Sequence, residues 1–106
     1  ATGTGHVYKF IVTVTMASNT YKIACPDADN VINGTIKNMD LDGTAQTIFS
    51  TVAASDTITL NGGTQGGQVS DTLTLIDIAA NLWHVEGQMR TPAGANPATP
   101  FSEAVS

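Results

Sequence analysis

Between His6 and Thr15 the side chains alternate. Tyr8, Phe10, Val12 and Val14 fall on one face of an extended chain, and Val7, Lys9, Ile11 and Thr13 fall on the other. A period of two is what a strand with one buried face requires, and a helix cannot satisfy it. The pattern returns three times. Ile58 and Leu60 alternate with Thr57 and Thr59. Leu73, Leu75 and Asp77 oppose Thr72, Thr74, Ile76 and Ile78. From Leu82 to Met89, Trp83, Val85 and Gly87 oppose His84, Glu86 and Gln88. Nowhere does a 3.6-residue period last for three turns. Sixteen threonines add to the bias, because a β-branched side chain is stiff in a helix and packs well on a pleated surface.

The breaks between these runs are legible too. Ser18-Asn19 reads as a turn into a returning strand over Thr20–Ala24, which Cys25-Pro26-Asp27 ends because proline cannot donate to a ladder. After a loop from Asp27 to Asn30, Val31–Met39 reads as a strand interrupted at Asn33-Gly34 by a turn or bulge. Asp40-Leu41-Asp42-Gly43 reads as a turn, Ala45–Thr51 as a strand, and Ala53-Ala54-Ser55 as a corner. The four glycines between Asn61 and Gln68 suggest a long hairpin loop, Ala79-Ala80-Asn81 a turn, and Leu82–Met89 the last strand. Thr91 to Ser106, with Pro92, Pro97, Pro100 and Gly94, reads as an extended arm, and the small residues Ala1–Gly5 as another. About seven strands at spacings of about 8–14 residues imply an all-β fold: a single antiparallel β-sandwich or barrel, jelly-roll or Ig-like, with its core in residues 6–90.

Size and charge narrow the function. A chain of 106 residues and 10.9 kDa is one domain's worth of protein, with an expected folded surface of roughly 5,600 Å² and little room for a deep cleft. Only 12% of residues are charged and the net charge is −5. That balance argues against nucleic acid and against an anionic membrane surface as partners, since both need a basic face. Cys25 is the only cysteine, so an intramolecular disulfide is excluded, which fits folding in a reducing cytoplasm or a protein that needs no such staple. No apolar run approaches the ~20 residues of a membrane-spanning helix. The first residues lack the basic and apolar pattern of a signal peptide, and a start at Ala1 fits either loss of an initiator Met or a cut from a longer precursor.

Each candidate site has a plain structural reading. Asn38-Met39-Asp40-Leu41-Asp42-Gly43 resembles the opening of a calcium loop, but its twelfth position is Phe49 and its flanks are strands, so a turn is expected. Asp27 and Asp29 are two carboxylates without a third ligand. Cys25 could act as a nucleophile with His6 or His84 as base, yet its charged neighbours are mostly acidic, and a small buried hydrophobe is expected instead. Two histidines do not make a metal site. Gly62-Gly63-Thr64-Gln65-Gly66-Gly67 is followed by no lysine and no helix, so it is not a phosphate cradle. Among six aromatics, Tyr8, Phe10 and Trp83 are expected in the core, with Tyr21 and Phe101 exposed. No catalytic residue, cofactor or metal is expected.

One stretch carries a family resemblance. It runs Asp56-Thr57-Ile58-Thr59-Leu60-Asn61-Gly62, then Gly66-Gly67, then Asp71-Thr72-Leu73-Thr74-Leu75-Ile76-Asp77, and ends at Leu82-Trp83-His84-Val85-Glu86-Gly87. This resembles head decoration (capsid cement) proteins of tailed bacteriophages and related β-rich virion structural domains: a strand, a Gly-rich hairpin, an Asp-led strand and a Trp-x-Val-x-Gly strand. The tail Ala98-Thr99-Pro100-Phe101-Ser102 is similar in style, whereas Ser70-Asp71 stands where a Gly-Asp turn is often seen. The resemblance implies a non-enzymatic virion structural protein on the capsid exterior, assembled in the host cytoplasm. It would be a homotrimer that binds the major capsid protein and ties adjacent capsomers together, with avidity from repeated contacts. The two arms would then be the contact segments: Thr2 and Thr4 at one end, Pro92, Pro97, Pro100 and the apolar anchor Phe101 at the other. The competing readings are a receptor- or carbohydrate-binding domain of a tail fibre or spike, and a small hydrolase.

Overall fold

The computed structural model describes residues 2–15, 20–43 and 46–105. The turn expected at Ser18-Asn19, the strand start expected at Ala45, and Ala1 and Ser106 of the two arms lie outside them. The described residues contain eight strands and no helix: β1 (Val7–Ile11), β2 (Tyr21–Ala24), β3 (Val31–Asp40), β4 (Gln46–Ser50), β5 (Thr57–Leu60), β6 (Thr72–Ala79), β7 (Leu82–Thr91) and β8 (Phe101–Ser102). They form a five-stranded sheet in the order β1-β6-β7-β3-β4 and a three-stranded sheet in the order β2-β5-β8. Neither closes on itself, so the barrel reading falls.

The expected antiparallel pattern holds for every ladder except the longest. β3 and β7 run parallel in ten consecutive pairs, from Val31↔Leu82 to Asp40↔Thr91. A parallel pair cannot be joined by a tight turn and needs a long crossover. Here the crossover is residues 41–81, and it lays down β4, β5 and β6 on the way. The break expected at Asn33-Gly34 is absent: β3 passes through without interruption. Gly34 permits this. It adopts φ +148°, and a Cβ there would stand 2.0 Å from the carbonyl oxygen of Val85 on β7.

Two connections differ from the sequence reading. The Gly-rich segment 61–71 is not a hairpin, because β5 and β6 belong to different sheets. It carries the chain from one layer to the other. The Thr20–Ala24 segment likewise does not return against β1; β2 pairs with β5. Alternation records which side chains point inward, but not which strand lies alongside, and both layers reward the same pattern. The expected turns at Asp40–Gly43 and Ala79–Asn81 are present, with Gly43 at φ 74° and Asn81 at φ 60°.

The inner faces of the two sheets share one apolar cluster. Ile32, Ile36, Leu73, Leu75, Val85 and Met89 come from the wide sheet, while Ile58, Leu60, Phe101 and Cys25 come from the narrow one and its flank. Fully buried side chains such as Ile36, Ile58 and Val85 each contribute about 2 kcal/mol. The last strand is not β7. Within the Pro-rich segment, Phe101 and Ser102 pair with Ile58 and Thr57, which puts Phe101 into the core at 8% exposure.

Replacing Gly34 by Ala should therefore remove at least about 3 kcal/mol of stability, because backbone on the facing strand cannot yield to the new methyl. Gly43→Ala is the control. A Cβ at Gly43 meets nothing within 4 Å, so only the left-handed backbone is penalised, by about 1 kcal/mol. Urea denaturation of the two variants should separate them.

Candidate functional site: two exposed apolar edges

Strands in a sheet stand about 4.8 Å apart, so five span roughly 19 Å and three roughly 10 Å. The narrow sheet cannot cover the wide one. Both borders of the wide sheet overhang, and each overhang leaves an apolar mouth between the layers.

The first mouth opens between β1 and β2. Phe10, Val14, Tyr21, Ile23, Leu60 and Leu73 line a cleft of about 450 Å³. Beside it, Tyr8, Cys25, Ile32 and Trp83 line a smaller one of about 200 Å³. Tyr8 and Phe10 do point inward, as alternation requires, opposite Leu75 and Leu73. Nothing in the narrow sheet reaches far enough to bury them, however, and they stay 49% and 41% exposed. The expectation that these two rings sit in the core is thus corrected. Tyr8 makes an edge-to-face contact with Trp83 at a centroid distance of 5.7 Å, and Trp83 is half-buried against the core. On the outer face of β1, Val7 and Ile11 are also exposed. All five residues of this strand are open to solvent.

The second mouth opens at the opposite border, between β4 and β8. Phe49, Val52, Thr99, Phe101, Ser102 and Glu103 line a cleft of about 590 Å³. Ile48 on the outer face of β4 is 69% exposed and Val52 is 63% exposed.

The two terminal segments, expected to be free contact arms, are tied down among the described residues. Asp77 points into the inner layer from β6, as its alternation with Leu73 and Leu75 implies. Its carboxylate accepts hydrogen bonds from the Thr2 amide at 2.9 Å and from the Gly3 amide, and from the Thr2 and Thr4 hydroxyls. These bonds, led by the Thr2 amide, hold the Asp77 carboxyl well below the usual range. At the other end, Ala98 donates to the Thr64 carbonyl and Thr59 to the Pro100 carbonyl, while the Val105 amide reaches the Asp56 carboxylate at 3.2 Å. Pro92 and Pro97 are half-buried and Pro100 is buried. Phe101, expected to be exposed, is instead a core residue, because pairing with β5 places it between the sheets. Thr2 and Thr4 remain at the surface as a fixed patch beside β6. Tyr21 is exposed, as expected.

Asp71 fastens the crossover loop. Its buried carboxylate accepts the amides of Gly67, Gln68 and Arg90 at 3.0–3.1 Å, with the Arg90 guanidinium 3.7 Å away. Burial outweighs these bonds and pushes its carboxyl up. The chemistry of the remaining groups is limited. Burial, then the charge of Asp56, raises the Cys25 thiol, the opposite of what a nucleophile needs. His84 pairs with Glu86 at 3.8 Å on the outer face. Asn38 and Asp40 point inward from β3 while Asp42 stands exposed in the turn. Among the described residues no cluster of three His, Cys, Asp or Glu side chains could hold a metal. Asp27 is an Asx turn, accepting the amides of Asp29 and Asn30.

Asp77 and Asp71 should impose opposite pH slopes on stability. The lowered Asp77 carboxyl adds stability above its ordinary value of 3.8, and this is lost as pH falls through the folded value. The raised Asp71 carboxyl does the reverse: its contribution is full below 3.8 and is lost as pH rises through the folded value. In urea titrations from about pH 3 to pH 7, Asp77→Asn should fall further behind the wild type as pH rises, while Asp71→Asn gains on it. Hydrogen exchange should show the amides of Thr2 and Gly3 losing protection in Asp77→Asn alone.

Comparison with protein-family models, with curated proteins and with solved structures found no match.

Proposed function

We propose that this chain is a β-sandwich that works by assembly: a virion structural protein that binds the outer surface of a phage capsid and cements adjacent capsomers. The observation that carries the reading is the pair of apolar mouths on opposite borders of the wide sheet. Contiguous exposed apolar surface marks interaction sites, and two such surfaces on so small a molecule suit a protein that touches more than one neighbour. A cement protein needs that property, since each copy must bridge between units of a lattice and gains by repeated contact.

The charge distribution supports the same reading. Of nine acidic residues, Asp40, Asp56, Asp71 and Asp77 are buried. The five that remain outside face four lysines and arginines, so the surface is close to balanced and low in charge. Such a surface can be packed against protein with little desolvation penalty. A sugar-binding site would set polar groups beside the exposed rings. Here the cleft around Phe10 and Tyr21 is mainly apolar, and of its polar side chains, Thr13 and Asp71, the Asp71 carboxylate is already taken by the Gly67, Gln68 and Arg90 amides.

The β4 border is assigned to the capsid. Ile48→Ser and Val52→Ser should each leave folding stability within about 0.5 kcal/mol, as surface changes do, while weakening binding to shells that lack the protein. Cryo-electron microscopy of particles should show copies distributed over the head lattice, and loss of the protein should lower the temperature at which shells open. Copies confined to the tail, or unchanged shell stability, would overturn the reading.

A further inference from the structure

The opposite border poses a separate question, because among the described residues β1 is an edge strand with a free outer side. It is the terminal strand of its sheet, and no described strand pairs with its outer side. Asp77 donates to the His6 carbonyl, Val12 donates to the Asp71 carbonyl, and Ser70 donates to the Val12 carbonyl. The even-numbered residues thus direct their backbone polar groups toward β6. In an antiparallel ladder the odd ones point the other way, so the amides and carbonyls of Val7, Lys9 and Ile11 face outward. Natural edges are blunted by proline, bulges or clustered charge. β1 contains one lysine and none of the other devices.

We propose that β1 pairs with β1 of a second copy of this chain, antiparallel about a twofold axis at Phe10, so that the five-stranded sheet continues into its neighbour. Three observations select the second copy as occupant. The first is area. The exposed parts of Val7, Tyr8, Phe10, Ile11, Val14 and Tyr21 amount to at most roughly 700 Å², the same order as the ~800 Å² per partner of a stable interface.

The second is register. Opposed residues in one sheet share a face, so the axis must pass through a residue position. An axis at Lys9 would set two ammonium groups against each other, which is unfavourable. An axis at Phe10 sets Lys9 opposite Ile11, as a pair exchanging both outward hydrogen bonds, and Tyr8 opposite Val12. The third is closure. With Phe10 facing Phe10 of the second copy across a non-hydrogen-bonded position, where side chains lie closest, the inner rings of each copy cover the mouth that the narrow sheet leaves open. The axis is twofold, whereas the phage resemblance implies a trimer. The pairing stands on β1 and needs no capsid.

Cross-linking reads the register directly. In a Cys25→Ala background, Phe10→Cys should oxidise to a covalent dimer, since non-hydrogen-bonded partners stand about 4.5 Å apart between Cα atoms and disulfides span about 4.4–6.8 Å. Lys9→Cys alone should not oxidise to a dimer, because its like residue is a diagonal neighbour at about 7–8 Å. An equimolar mixture of Lys9→Cys and Ile11→Cys chains should give the mixed dimer. Sedimentation of the unmodified protein at micromolar concentration should give twice the 10.9 kDa of the chain. Ile11→Lys changes an exposed side chain and sets its charge opposite Lys9 of the second copy; it should weaken the dimer at least about tenfold with the folded chain intact by circular dichroism. A monomer, a trimer, a dimer indifferent to Ile11→Lys, or cross-linking through Lys9→Cys alone would overturn the proposal.

Discussion

The parallel ladder between β3 and β7 governs the rest of the molecule. Its ten pairs place the two longest strands side by side in the middle of the wide sheet, and they do so only because Gly34 lets the backbone of β3 lie against Val85. Since the two strands run in the same direction, the chain must travel back between them, and residues 41–81 do this by adding one strand to each border of the pair and one to the other layer. β1 then extends the wide sheet beyond β6. Only β2, β5 and the two-residue β8 are left for the facing sheet. The mismatch in width, and with it the apolar mouths at both borders, is a consequence of this strand allocation. Incomplete folding is not its cause. The surface measures 5552 Å², against the roughly 5,600 Å² expected of a folded chain of this mass.

Carboxylates fasten the parts that strands do not. Asp71 holds the crossover loop by three backbone amides, Asp77 holds residues 2–4, and Asp56 takes the Val105 amide. Most of these N–H groups belong to irregular backbone, and the Arg90 amide lies near the end of β7, past its ladder with β6; a carboxylate can take such donors where no strand offers a carbonyl. Such bonds are stronger than neutral ones and need no regular structure, so they suit a chain whose ends and crossover contain Gly and Pro. They also take acidic residues out of play at the surface. Much of the formal charge of −5 therefore sits on buried carboxylates, so the carboxylates left at the surface are nearly matched in number by lysine and arginine.

The layer to which each side chain points was largely legible in the sequence, because period two is a local property. β6 and β7 follow their alternation, including Asp77 inward beside Leu73 and Leu75, whereas the central β5 is buried at all four positions, Thr57 and Thr59 included. Pairing was not legible. The same Ile58-Leu60 and Leu73-Leu75 patterns would serve two strands of one hairpin or two strands in opposite sheets, and only the tertiary arrangement decides. Asn33-Gly34 looked like a break because glycine commonly marks one. The reason for this glycine, the Val85 carbonyl, lies far downstream in the chain. Phe101 was hidden by its prolines. A two-residue strand has no period to detect, and Pro100 contributes its carbonyl to Thr59 without needing an N–H of its own.

The exposed apolar borders were the least legible feature, and the reason is physical. Tyr8 and Phe10 have the alternation of core residues, and inward they do point. Alternation reports the direction of a side chain; exposure depends on whether the facing layer extends that far, and a three-stranded layer does not. An apolar inner face on an uncovered border strand is unfavourable in an isolated molecule, since it leaves rings in water beside unpaired backbone groups. Sequence could have relieved it cheaply, with a charge at position 10 or a proline at the edge. Instead Val7, Tyr8, Phe10 and Ile11 keep the residues that a covered strand would have. Among the described residues nothing covers Tyr8 and Phe10, and the proposed pairing with a second copy would cover them.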